Sequence, residues 1–101
     1  MAFPIKIIPR AAREITEAWD WWQANRQAAP TALEEELRRA FSLISEHPSV
    51  GARALNAKLA GVRRIYLSRV HYHLYYRFRS TIESIEVLAL WHSSRGSGPD
   101  V

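Results

Sequence analysis

From residue 70 the chain alternates strictly, with Val70, Tyr72, Leu74, Tyr76 and Phe78 on one side and Arg69, His71, His73, Tyr75, Arg77 and Arg79 on the other. Period two over this length means a strand with one buried face. A second run, Ile82 to His92, follows Ser80-Thr81, and a two-residue turn there places Arg79 opposite Ile82. That register sets Tyr76 against Ile85, Leu74 against Val87, Tyr72 against Ala89 and Val70 against Trp91, all apolar pairs. The opposite face then carries Arg77 with Ser84, Tyr75 with Glu86, His73 with Leu88, His71 with Leu90 and Arg69 with His92. Function is expected on this second face.

The remaining segments supply what a lone hairpin lacks, a layer to bury its apolar side against. Phe3 to Ile8 is short and β-branched and reads as a first strand, at a sheet edge because of Pro4. Arg10 to about Ala28 carries Ala11, Ile15, Ala18, Trp19 and Trp22 at helical spacing, and Trp21 falls off that stripe. Ala29-Pro30-Thr31 breaks the helix, and Thr31 with Glu34 has capping-box spacing. A second helix follows to about Glu46 with Leu33, Leu37, Ala40, Phe41 and Ile44 inward, and His47-Pro48 closes it. Ser49 to Gly61 shows no period and reads as a loop; Val62 to about Ser68 begins three successive strands. The predicted fold is α+β: a two-helix hairpin packed on one face of a small, mostly antiparallel sheet in the order β-α-α-β-β-β. One domain spans residues 1–92, and the Gly-, Ser- and Pro-rich residues 93–101 are expected to be a flexible tail.

Charge narrows the partners. Residues 1–50 hold six Lys or Arg against seven Asp or Glu, whereas residues 51–101 hold eight against three. The basic excess gathers around the hairpin, which suits a polyanionic or acidic partner, or a solvated face. Cysteine is absent, so neither a disulfide framework nor thiol chemistry is available. No apolar run approaches the roughly 20 residues that span a bilayer, and a cytoplasmic protein without membrane contact is expected.

Several residues carry candidate chemistry. Metal-free cleavage of RNA needs a base, an acid and cations for the phosphate. Arg69, Tyr75, Arg77, Glu86 and His92 offer these types on one predicted face, although Glu86 serves equally as a cross-strand ion-pair partner and His92 as a cap on the sheet end. His71 and His73 share a strand face with His92 near the same register, but nothing completes four ligands, so neither a metal nor any cofactor is expected. Tyr66, Arg69, Tyr75 and Arg77 interleave aromatic and cationic groups in a manner that suits stacking on unpaired bases. Leu88 and Leu90 are apolar where alternation expects polar residues. Together with Arg63 and Arg64 they suggest an exposed adhesive patch that a partner covers.

The order of these elements, with Gly61-Val62-Arg63-Arg64, Tyr75-Tyr76-Arg77, the run Ile85 to His92 and then Arg95, resembles the ParE branch of the RelE/ParE toxin superfamily over nearly the whole chain. The resemblance implies the toxin of a type II toxin–antitoxin module of the plasmid-stabilisation kind, neutralised by a cognate antitoxin in a higher-order complex. ParE-type members act on DNA gyrase; RelE-type members cut messenger RNA in the ribosome. It implies Arg69, Tyr75, Arg77, His92 and Arg95 as target-binding candidates and Arg63, Arg64, Leu88 and Leu90 as antitoxin-binding candidates. A nuclease of this kind would rely on Arg77 and His92. Many relatives continue past this point with an acidic residue and a short helix, where Ser97-Gly98-Pro99 stands here.

Overall fold

A computed structural model describes residues 2–101. Five strands form one sheet: β1 (Ile5–Ile7), β2 (Ala52–Arg53), β3 (Val62–Leu67), β4 (Tyr72–Arg79) and β5 (Ser84–His92), in spatial order β1-β5-β4-β3-β2. β1 runs parallel to β5, and the other neighbours are antiparallel. Two helices, α1 (Pro9–Asn25) and α2 (Ala32–Glu46), cover one face. The α+β arrangement is the one expected, with β2 added inside the segment read as a loop. Among the described residues no helix is long and apolar enough to cross a membrane.

Pro9 opens α1 because its missing N–H costs nothing at a first helical position. Ala11, Ala18 and Trp22 are buried, while Trp19 is 37% exposed and Trp21 44%. The stripe assigned to α1 therefore runs true except at Trp19, which lies over the groove between the helices rather than over the sheet. α2 buries Leu33, Leu37, Ala40 and Ile44. Its capping box does not form: the Thr31 hydroxyl donates to Glu35 (3.1 Å), and no side chain caps the first turn. Glu36 is buried because it has partners there, accepting from the Arg69 backbone N–H (3.2 Å) and from Arg39 (2.6 Å).

The core lies between helices and sheet. Leu74, Tyr76, Ile85 and Val87 are fully buried on the helix side, each aliphatic one contributing roughly 1.5–3 kcal/mol by leaving water. The Tyr76 hydroxyl donates to Pro48 O (2.8 Å) and accepts from Gly51 N–H (2.9 Å), fixing the loop that leads into β2. Gly51 has no room for a side chain, since a Cβ would stand 2.7 Å from that phenol oxygen and 2.9 Å from Arg64 O.

Both turns of the three-stranded unit depart from expectation. Ser80-Thr81 cannot supply the positive φ that a two-residue hairpin turn requires, so the loop lengthens to Ser80–Glu83 and Glu83 takes φ 47°. Arg79 pairs with Ser84, which moves the register by two and sets Arg77 against Glu86. An even shift keeps every side chain on its face. Between β3 and β4 the chain turns through Ser68–His71, with His71 at φ 63°. Arg69, Val70 and His71 thus leave the strand in which the alternation placed them.

The larger departure is a β-bulge. Tyr76 pairs with Val87 and Tyr75 with Ala89, so Leu88 is the extra residue on β5. Leu88 and Ala89 join the cluster on the face away from the helices, whereas Leu90 joins the helix-side core. An odd insertion reverses the parity of everything after it. Leu88 and Leu90, expected as an exposed pair, are 3% and 2% exposed and lie on opposite faces. The adhesive patch they were to form does not exist in that shape. The tail, too, is laid down on the molecule: Val101 packs against the Val62–Leu88 cluster, and Lys58 N–H donates to Val101 O (2.6 Å).

Candidate functional site

The face of the sheet away from the helices presents three zones, set by pleat parity and the bulge. Near the Arg79 end, Arg77 Nε donates to Glu86 (2.7 Å) and Arg79 approaches the same carboxylate (3.7 Å). The Arg77 hydrogen bond above all holds the Glu86 carboxyl below its usual range. This is the cross-strand ion pair allowed for by the sequence. In the middle, Val62, Tyr75, Leu88 and Ala89 form the covered apolar patch.

The third zone lies toward the other end and gathers aromatic rings and cations. The Tyr66 ring lies tilted against His73 at 4.9 Å, and His73 faces Tyr75 edge-on at 6.4 Å. His73 pairs across the ladder with Trp91, and Arg95 lies over the Trp91 ring at 3.8 Å. Arg64 donates to the Tyr75 hydroxyl (3.3 Å), and the Tyr66 hydroxyl meets His71 Nδ1 at 2.8 Å. His73 Nδ1 is buried without a hydrogen-bond partner. Burial first, and the Arg64 charge second, hold the His73 imidazole below its ordinary pKa, so it is neutral near pH 7. The zone offers stacking surfaces, two guanidinium groups without a carboxylate partner among the described residues, and a neutral imidazole.

The sequence-selected residues are not brought together. Arg77 pairs opposite Glu86 and His92 opposite Tyr72, five ladder steps away, a distance of about 17 Å along a strand. The bulge also turns His92 to the helix side, where it meets Tyr72 edge-on (5.0 Å) and Ser94 Oγ (2.7 Å). Arg69 sits in the β3–β4 turn, paired with Glu35 at 3.0 Å. Tyr75, expected to be exposed, is 4% exposed beneath the tail. Arg63 points to the helix side and donates to Gly51 O (2.8 Å), while Arg64 stays on the bare face. Of the target- and antitoxin-binding candidates, Arg64 and Arg95 lie in the aromatic zone with Tyr75 buried at its margin, joined there by Tyr66, His71 and His73. Trp91 was missed there because the expected pairing with Val70 put it in the core; the one sequence signal for it was the apolar doublet Leu88-Ala89, the kind of break a bulge leaves in an alternating run.

The mixed five-stranded sheet backed by a helical hairpin has the fold of RelE/ParE-like structures. A family model described as the ParE toxin of the type II toxin–antitoxin system parDE matches residues 5–96, and the chain belongs to that family. A chain of the chromosomal ParDE system from P. aeruginosa shares the fold with a TM-score of 0.69 at 17% identity, over 90% of this chain and 96% of that one. The RelBE2 toxin–antitoxin complex from Mycobacterium tuberculosis gives 0.64 at 21% identity over 91% and 99%. The isolated E. coli RelE toxin gives 0.64 at 19% over 95% and 89%. At these identities the likeness is one of fold. No curated relative matches the chain in sequence.

Proposed function

We propose that this toxin acts by binding DNA gyrase, and that a cognate antitoxin neutralises it in a higher-order complex. The observation that supports a contact mechanism is the separation of Arg77 from His92 across the sheet, with Arg77 neutralised by Glu86. Acid–base catalysis needs both groups within hydrogen-bond reach of one substrate. The aromatic zone of Tyr66, His73, Trp91, Arg64 and Arg95 supports binding instead, through stacking and guanidinium contacts. Purified protein is tested for inhibition of gyrase supercoiling and for message cutting on programmed ribosomes. Loss of supercoiling without cleavage is expected, and Arg64→Glu and Arg95→Glu each weaken inhibition gradually. Cleavage of ribosome-bound message, with gyrase unaffected at saturating protein, overturns the proposal.

One observation favours the ribonuclease reading: His71, Tyr66 and His73 lie together beside Arg64. If these residues catalyse cleavage, His73→Ala lowers its rate on the order of 10²-fold or more. The same two assays decide between the readings.

A further inference from the structure

Three rings stand side by side on the bare face because the ladder sets them in one row. Tyr66 of β3 pairs with His73 of β4, and His73 pairs with Trp91 of β5, so the row crosses three strands and is about 10 Å long. Residues paired across a ladder share a face, and the bulge, by reversing parity ahead of Trp91, is what brings the indole into line. Tyr66 is 47% exposed, and His73 and Trp91 are partly exposed. Arg95 lies over the Trp91 ring at 3.8 Å, so a planar guanidinium extends the row beyond the indole. At the other end the Tyr66 hydroxyl meets His71 Nδ1 at 2.8 Å, which steadies the phenol ring.

Free cations flank the row. Arg64, two residues before Tyr66 and on the same face, donates to the Tyr75 hydroxyl (3.3 Å), and neither it nor Arg95 has a carboxylate partner among the described residues. The carboxylates of this side are already engaged. Glu86 is taken by Arg77 at 2.7 Å, and Asp100, which lines a cleft with Arg64 and Tyr75, is held by Lys58 at 2.8 Å. Burial and the Arg64 charge keep His73 neutral, so the middle ring adds a face without adding charge. Aliphatic side chains are missing from the row, since Leu88 is 3% exposed and Leu90 belongs to the helix-side core. Ring faces and planar cations without an aliphatic socket suit bases and phosphates better than a protein's side chains.

We propose that the row of Tyr66, His73 and Trp91 is a stacking platform for an unpaired DNA strand, with about two or three bases on the rings and with Arg64 and Arg95 on the phosphates. A sheet that carries aromatic residues on neighbouring strands takes up successive bases in this way, and every base has a face to stack, so the platform is indifferent to sequence. The stacking depends on the sheet alone. The choice of DNA over RNA rests on the gyrase reading, because an enzyme that works on DNA supplies such a strand where the duplex is opened. Gly98 and Val101 cover Tyr75 and the Val62 cluster, so a strand on the row leaves the tail in place.

The test follows the fluorescence anisotropy of a labelled oligothymidylate of about ten nucleotides as the full chain is added. Tyr66→Ser removes an exposed ring and weakens binding about tenfold, whereas Tyr66→Phe keeps the ring and binds as the unmodified chain does. Arg64→Gln lowers the slope of log affinity against log salt by about 0.7, the value for one phosphate contact on a single strand, and so reads the site by a second route. A blunt duplex of the same length binds about tenfold more weakly, because its bases are stacked on one another. Equal losses in Tyr66→Ser and Tyr66→Phe, or a duplex bound as tightly as the single strand, overturn the proposal. So does an oligouridylate bound more tightly than the oligothymidylate, which gives the face to RNA. A chain that inhibits supercoiling and binds no oligonucleotide overturns it as well, giving the row to the gyrase protein and leaving the gyrase reading intact. Oligothymidylate binding by a chain that does not inhibit supercoiling supports the platform and removes the gyrase reading, so the two fail separately.

Discussion

The two faces of the sheet are built from the same strands by different rules. On the helix side Leu74, Tyr76, Ile85 and Val87 are fully buried, in the alternation the sequence displays. On the bare side an ion pair, a covered apolar patch and an aromatic–cationic zone follow one another along the strands. The covered face needs only period two and something to pack against. The bare face depends on one extra residue in β5 and on a tail that returns from the end of the chain. A surface assembled by such nonlocal events tolerates mixed chemistry, which is what a binding face requires.

The contrast is open to attack at several points. Leu74→Ala leaves a cavity in the two-layer core and is expected to cost about 3 kcal/mol, against about 2 kcal/mol for Leu88→Ala under the thin cover of the tail. Urea unfolding of the two variants measures the difference, and equal losses would mean that the faces are energetically alike. Gly51→Ala forces its Cβ against the Tyr76 hydroxyl and should cost about 2 kcal/mol. Combined with Tyr76→Phe, which removes the obstructing oxygen, its cost should fall short of the sum of the two, a coupling that a double-mutant cycle reads directly.

Smaller effects belong to the bare face. Glu86→Gln removes the charge partner of Arg77 and Arg79 and should cost about 1 kcal/mol at neutral pH. The folded carboxyl titrates below its ordinary value of 4.5, so this stability is present above 4.5 and is lost as pH falls through the folded pKa. The variant should therefore show a weaker loss in acid melts. His73 works in a higher window. Its folded pKa lies below 6.5, so the unfolded chain binds more protons there and stability falls as pH drops from 6.5 toward the folded value. His73→Phe should flatten the melting temperature across that window, and an unchanged slope would show that the imidazole is solvated. The smallest loss is expected from Arg95→Ala, about 0.5 kcal/mol for the cation over Trp91.

The candidate site was far less legible than the fold. Arg77 and Glu86 are legible as a cross-strand pair, and Arg64 and Arg95 stand out as candidate contacts. Tyr75 was assigned to an exposed face, and it is buried by residues that come more than 20 positions later in the chain. The grouping of Arg77 with His92 assumed an unbroken ladder, and the inserted Leu88 reversed the parity between them. β2 could not be found by pattern, because two residues carry no period and pair only where the edge of β3 is free.

The sequence by itself determined what depends on neighbours along the chain: both helices, four strands, the helix-side residues of β4 and the basic excess of the second half. Each follows from spacing, breakers or charge within a short window. Only the tertiary structure decided the position of the bulge, the face occupied by Leu90, Trp91 and His92, and the cover over Leu88. These depend on how many residues one strand sets against another, and on where a tail of weak local preference finds apolar surface to bury.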